Sequence, residues 1–209
     1  MKKLCLAALA AVSLLGCSDT KEEEKTAEKA TEKAAEPVRG VTDTEIRLGG
    51  MHDLSGVFAA FSSPAVQVAN DMFDEVNEAG GIHGRKIRYI VEDHAYQVPK
   101  ATQAVNKLVT RDEVFAMLMS LGTPHNLAAF PVMDSNNVPS ILPLALSRPM
   151  ETEGDFSRRF VFGPSYYEGV LKGASWMADE YDMEKACVMY IPSDFGEEVN
   201  QAMKDAAEE

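Results

Sequence analysis

From residue 46 onward the chain alternates between short apolar runs and longer segments with helical spacing, and this alternation limits what it can fold into more than any other feature. The runs at 46–51, 87–91, 114–119, 138–142, 160–162 and 186–191 read as strands. Between the first two, Val66, Ala69, Asn70, Phe73 and Val76 fall near helical spacing, and Gly80-Gly81 supplies a left-handed stop. Pro99 introduces a helix over 101–109 with Ala101, Ala104, Val105 and Leu108 on one face. Further helices are expected over 124–134, after Ser165 and after Asp194. Repeated β-α units of this length predict an α/β fold, a doubly wound parallel sheet with helices on both faces. Ligands of such sheets sit at the carboxyl ends of strands, where loops run into helix N-termini.

The first residues have a different character. Lys2 and Lys3 precede an apolar stretch over 4–15 that is too short for a stable bilayer span, and Leu14-Leu15-Gly16 leads directly into Cys17. That is the pattern of a bacterial lipoprotein signal over 1–16, with Cys17 as the lipidation position; the alternative is an ordinary secretory signal in which Cys17 is incidental. Residues 18–36, "SDTKEEEKTAEKATEKAAE", carry no aromatic or branched aliphatic side chain, so they lack the apolar surface needed to offset chain entropy. They read as a charged tether from Cys17 to Pro37. The expected location is therefore the periplasm or cell surface, with a lipid anchor in the membrane.

The remainder is long enough for one domain with a proper core. The formal net charge of −13 becomes more negative once Lys2 and Lys3 leave with the signal, and no basic cluster appears, which disfavours nucleic acid as a partner. Cys5 leaves with the signal and Cys17 is the lipid position, so Cys187 stands alone. No disulfide framework is possible, and Cys187, inside an apolar run, reads as a small buried residue.

The stretch "SLGTPHNLAAF", residues 120–130, poses the functional question. Thr123-Pro124 has the grammar of a helix start, with Thr123 at N-cap and Pro124 at N1. Such a turn is either a plain strand-to-helix connection or a site where free amides and the positive helix end meet a carboxylate. Other strand ends repeat the arrangement: His52-Asp53-Leu54-Ser55-Gly56 followed by Phe61, then Leu144-Ala145-Leu146-Ser147, then Ser193-Asp194-Phe195-Gly196-Glu197. In the last, Asp194 and Glu197 make a capping-box-like pair. Small polar groups beside exposed apolar ones suit a small amphiphile with an anionic end and an apolar body.

Taken together, "IRLGGMHDLSG", "NEAGGIHGRKIRYIVED", "LGTPHNLAAFPVMDSNNVPSILP" and "SDFGEE" resemble, in order and spacing, the leucine/isoleucine/valine-binding type of periplasmic substrate-binding protein of ABC transporters, the type I periplasmic binding protein fold. The resemblance implies two αβ lobes that close over a ligand, with residues 38–162 as the first lobe and 163–209 as the start of a second. Because the chain stops within a helical pattern, it is expected to be the front part of a longer protein. The resemblance places ligand contacts at Phe61, Leu121, Thr123 and Phe195, and a hinge-region polar position at Ser165. After the fourth strand the family's usual Ser-Pro-Ala-Ala-Thr turn is replaced by Pro143-Leu144-Ala145-Leu146-Ser147. There either Ser147 takes the threonine's part after a one-residue slip or that contact is missing. Leu144 and Leu146 near the site would favour a more apolar ligand. The cysteine pair of some members is also missing; the matching region reads His94-Ala95-Tyr96. The implied role is capture of a hydrophobic amino acid, or an aromatic or aliphatic carboxylate, for an ABC permease and ATPase complex.

Nothing in the sequence supplies an enzyme's equipment. There is no Gly-x-Ser-x-Gly elbow, no His-Glu-x-x-His, no P-loop and no Gly-x-Gly-x-x-Gly after the first strand, and no cofactor is expected. His52, His83, His94 and His125 are scattered, without cysteines at metal spacing. His52 and His125 sit at strand ends and are candidates for ligand contact, against a solvated or capping role; His83 is expected on a surface turn. A ligand-sensing receptor domain is a further class the same fold would serve, separable from transport by genomic context.

Overall fold

The computed structural model describes residues 37–208. The segments expected to form a signal, a lipidation position at Cys17 and a charged tether, up to residue 36, lie outside the described residues. Five parallel strands form one sheet: β1 Glu45–His52, β2 Lys86–Asp93, β3 Ala116–Leu118, β4 Ser140–Ile141 and β5 Arg159–Phe160. Their order across the sheet is β2-β1-β3-β4-β5. The connections are helices: α1 Ala59–Glu78, α2 Val98–Asn106 running on into a π-helical turn Lys107–Arg111, α3 Thr123–Ser135 and the short α4 Pro149–Thr152. Beyond β5 come α5 Tyr166–Tyr181 and α6 Asp194–Ala206. Among the described residues no helix is long and apolar enough to cross a membrane.

The strand order positions the site. The chain moves one way from β1 to β2 and the opposite way from β2 to β3. Right-handed crossovers therefore put α1 on one face and α2 on the other, where α2 packs along α3. The reversal lies between β1 and β3, and the loops leaving those two strands diverge to open a crevice.

Long β1 and β2 pair along their full length, from Glu45 against Lys86 to His52 against Asp93. Within β1, Gly50 is required by a neighbour: a Cβ there would lie 2.1 Å from the Tyr89 hydroxyl oxygen. That oxygen uses the space to donate to the Leu118 carbonyl at 2.8 Å and to meet His52 Nε2 at 2.8 Å. The core lies between the sheet and α2 and α3, where Met51, Val105, Leu108, Val114, Met117, Phe130 and Met133 are buried. α1 begins where the Asp53 carboxylate accepts from Gly56 N at 2.6 Å and Phe58 N at 2.7 Å. It ends, as the glycine pair predicts, at Gly80-Gly81, both with positive φ.

Three expectations need correction. The short strands stop earlier than their apolar runs, because Met119 at φ 53° and Leu142 at φ 49° turn the backbone out of the sheet. The run 186–191 is not a strand: among the described residues no strand lies beside it, and a strand exists only by pairing. Cys187 is accordingly exposed rather than buried, and Met189 is 99% exposed. The caps also shift. Gly122 at φ 96° is the N-cap of α3, so Thr123 stands at N1 and caps nothing. At α6 the cap is Ser193, whose hydroxyl accepts from Gly196 N at 3.4 Å, one residue before the expected Asp194.

Candidate functional site

At the carboxyl edge of the sheet the loops enclose a cavity of about 350 Å³. Phe58 and Phe61, at the start of α1, form part of its wall, and Leu121-Gly122-Thr123, between β3 and α3, form another. The β3 and β4 loops stay in register past the strands, since Leu144 N donates to Ser120 O at 3.0 Å and Leu121 bridges Leu144. This brings Leu144, Ala145 and Leu146 to the lining. The Leu146 carbonyl then accepts from Tyr166 N at 2.8 Å, tying that loop to the start of α5. Tyr166 and Phe195 complete the lining edge to face, with ring centroids 4.8 Å apart, so the N-termini of α5 and α6 meet at the cavity.

Of the residues singled out in the sequence, Phe61, Leu121, Thr123, Leu144, Leu146 and Phe195 are brought together around this one cavity. Ser147 and Ser165 stand outside the lining. The Ser147 hydroxyl donates to the buried Glu198 carboxylate of α6. Ser165 is the N-cap of α5, its hydroxyl accepting from Glu168 N at 3.3 Å. Four aromatic residues of the lining were not singled out in the sequence: Phe58, Tyr96, Phe162 and Tyr166. All four occupy loops or first helical turns that follow a strand, which is the one signal that would have found them.

Two observations define what the cavity offers chemically. The Thr123 residue is 1% exposed and its hydroxyl has no hydrogen-bond partner in the protein. It sits in the first turn of α3, where backbone amides lack intrahelical acceptors. The lining, in addition, contains no Asp, Glu, Lys or Arg among the described residues. Burial raises Tyr96 and Tyr166 above the usual phenol value, so both remain neutral O–H donors.

The histidines lie behind the lining rather than in it. His52 is fully buried between Tyr89 and Ser62, with Nδ1 3.4 Å from the Ser62 hydroxyl; burial, and then His94, lower it to about 4. His94 is also fully buried and is lowered to about 4 by burial and by His125, against opposing effects of Leu121, Asp53 and Asp93. His125 is 1% exposed, and neither ring nitrogen has a partner in hydrogen-bond geometry. Burial lowers it, while the nearby Tyr96 backbone and Asp53 act the other way. His83 is exposed in its turn, at φ 51°. Among the described residues no three His, Cys, Asp or Glu side chains are grouped as a metal site.

A parallel sheet whose strand order reverses beside its first strand, with a largely apolar cavity at that reversal, is the α/β architecture of the type I periplasmic binding class. The chain belongs to the periplasmic binding protein family, whose family model matches residues 45–209. Among curated proteins it is 26% identical over 165 residues to an amino acid binding protein of Pseudomonas aeruginosa, covering 78% of this chain and 43% of that one. Among solved structures it is similar to a fatty acid ABC transporter substrate-binding protein from Thermomonospora curvata. The identity there is 30%, the TM-score 0.73, and the coverage 83% of this chain and 44% of that one. It shares its fold with LivJ, a branched-chain amino acid transporter substrate binding protein from Streptococcus pneumoniae solved with isoleucine: 20% identity, TM-score 0.69, coverage 78% and 47%. The chain thus spans less than half the length of each of these relatives.

Proposed function

We propose that this chain is the ligand-capturing part of an extracytoplasmic solute-binding protein serving an ABC uptake transporter. The ligand we propose is a small carboxylate with an apolar body. Thr123 and the first-turn amides of α3 receive the carboxylate, and the aromatic and leucine side chains of the cavity hold the body. Residues 38–162 act as one lobe and residues from 163 begin a second, which closes over the ligand before the protein docks on a permease and ATPase complex. Cys17 carries the lipid that holds the protein at the membrane.

The observation that carries this reading is the composition of the lining: hydrophobic walls, hydroxyls and a helix N-terminus, with no acidic side chain among the described residues that line it. That favours an aliphatic or aromatic acid over a hydrophobic amino acid, and the 30% identity to a fatty acid binder supports it. The amino-acid reading stands second, supported by the relative named an amino acid binding protein and by the neutral hydroxyls of Tyr96 and Tyr166, which also accept hydrogen bonds.

A thermal-shift panel on the full-length protein, both lobes included and expressed without residues 1–17, separates the two. A ligand at one hundred times its dissociation constant adds about 2.7 kcal/mol to native stability, a rise of a few degrees. A rise with hexanoate, octanoate or phenylacetate but not with leucine, isoleucine, valine or phenylalanine is the expected result. A response confined to the amino acids overturns the carboxylate assignment, and no response to any compound overturns the binding role itself.

A further inference from the structure

The turn that follows β2 holds two consecutive non-glycine residues in the left-handed region, Ala95 at φ 48° and Tyr96 at φ 53°. A side chain makes that region costly, and such strain persists only where the surroundings enforce it. Here they do. His94 Nδ1 accepts from Tyr96 N at 3.0 Å, and His94 Nε2 lies 3.2 Å from the Leu121 carbonyl. The Tyr96 amide only donates and the Leu121 carbonyl only accepts, so Nδ1 is bare and Nε2 carries the hydrogen. His94 is therefore a neutral strut of one tautomer, and the residues at its two ends, Tyr96 and Leu121, both line the cavity.

Packing fixes the same turn from its sides. His94 stacks on His125 with centroids 4.2 Å apart and planes 8° from parallel. The Tyr96 ring lies 4.4 Å from His125 and 4.6 Å from Phe58. A Cβ on Gly122 would fall 2.3 Å from His125 Nδ1 and 3.2 Å from Tyr96 Cε2. The bare glycine backbone is what lets both rings close onto the loop after β3. The Tyr96 hydroxyl, in turn, interacts with Ser193 at the cap of α6.

We propose that Tyr96 is the specificity-determining wall of the cavity, setting how bulky an apolar body is admitted, and that His94 is the positioning residue that holds it there. This rests on the apolar-ligand function proposed above. Because the ring is clamped between Phe58 and His125 while its backbone is bound to His94, it does not swing aside for a larger ligand, and size selection follows from a fixed wall.

Isothermal titration of the full-length protein, both lobes included and expressed without residues 1–17, tests this, using butanoate, hexanoate, octanoate, 4-phenylbutanoate, leucine and phenylalanine as probes. Tyr96→Ala should shift the affinity ratio between the largest and smallest bound probe at least tenfold toward the larger. Tyr96→Asn, whose short polar side chain tolerates the left-handed region, should do the same and serves if the alanine variant does not fold. Tyr96→Phe should keep the wild-type order. His94→Leu should loosen that order, and His94→Asn should restore it, because its amide oxygen can replace Nδ1 as acceptor. An unchanged size order in both ring-deleting variants overturns the wall. Equal behaviour of His94→Leu and His94→Asn overturns the strut. Failure of the full-length wild-type protein to bind any probe overturns the proposed function and this inference with it, an outcome distinct from the other two.

Discussion

The hydroxyl of Ser147, in the loop after β4, donates to the carboxylate of Glu198 on α6, joining two points 51 residues apart. The same carboxylate accepts from Arg148 N at 3.1 Å and Tyr167 N at 3.3 Å, and the Arg148 guanidinium lies 3.5 Å over the Tyr167 ring. One side chain, 8% exposed, thus ties the β4 loop and the start of α5 to α6. Glu198→Ala removes the carboxylate that these donors share and should cost about 2–4 kcal/mol of unfolding free energy, read from the urea midpoint. Ser147→Ala removes one of three bonds, with an expected cost of about 1–2 kcal/mol and no change in ligand affinity. A large affinity loss in Ser147→Ala would return that residue to the binding site.

Thr123 separates stability from binding. Its buried hydroxyl has no partner in the free protein, so the near-isosteric Thr123→Val removes an unsatisfied group and should leave the melting temperature unchanged or slightly raised. Ligand affinity should fall by about 1.5–3 kcal/mol, roughly 10–150-fold, the worth of one hydrogen bond to a charged group. Equal affinity in calorimetry would remove Thr123 from the site.

Gly122 is the position least tolerant of change. Its φ of 96° is unfavourable for any side chain, and an added methyl would collide with His125. Strain and overpacking each contribute about 1–3 kcal/mol, so Gly122→Ala should lower stability by roughly 2–6 kcal/mol. Chemical denaturation measures it, and a loss below about 1 kcal/mol would mean that the loop rearranges freely.

Acid should weaken the fold through the buried rings. His52 and His94 are lowered to about 4, mainly by burial, from the ordinary 6.5. Between those values the unfolded chain binds more protons than the native one, so stability is full above about pH 6.5 and falls as pH drops toward 4. Each ring contributes on the order of 1–3 kcal/mol across that window. The groups facing His94 are His52 and His125, which disfavour its charge, and Asp53 and Asp93, which favour it. Melting temperature against pH should slope less steeply in His94→Gln, by up to one proton, and an unchanged slope would show that His94 does not titrate there.

How much of this was legible in the sequence depended on the range of the interaction that decided each feature. The β1 and β2 runs and the glycine stop after α1 are local signals, and the structure follows them. The run 186–191 has the same apolar composition, yet strand formation depends on a neighbour that composition does not report. The π-helical turn Lys107–Arg111 likewise leaves the 3.6-residue periodicity, so the helix over 101–109 was expected to be regular. At the cavity, Phe61, Leu121 and Leu144 belong to segments that follow strand ends, where ligands of such sheets collect, and they line the cavity with Phe195. Tyr96 was passed over, because its place depends on two left-handed residues and three rings drawn from separate segments. Ser147 and Ser165 hydrogen-bond within the protein, Ser165 to the first turn of α5 and Ser147 to Glu198, the latter a contact that spans segments and that local sequence does not report.

Because all five strands run parallel, the loops that wall the cavity leave the sheet at a common edge, yet each is a separate insertion between elements that do not change. Phe58 belongs to one such insertion, Tyr96 to the next, and Leu121, Leu144 and Phe162 to three more. A lineage carrying this frame can therefore exchange one loop at a time. Each exchange resets one wall together with the neighbours it touches, Phe58 and Gly122 in the case of Tyr96, while the hydrogen-bonded sheet beneath is unaffected.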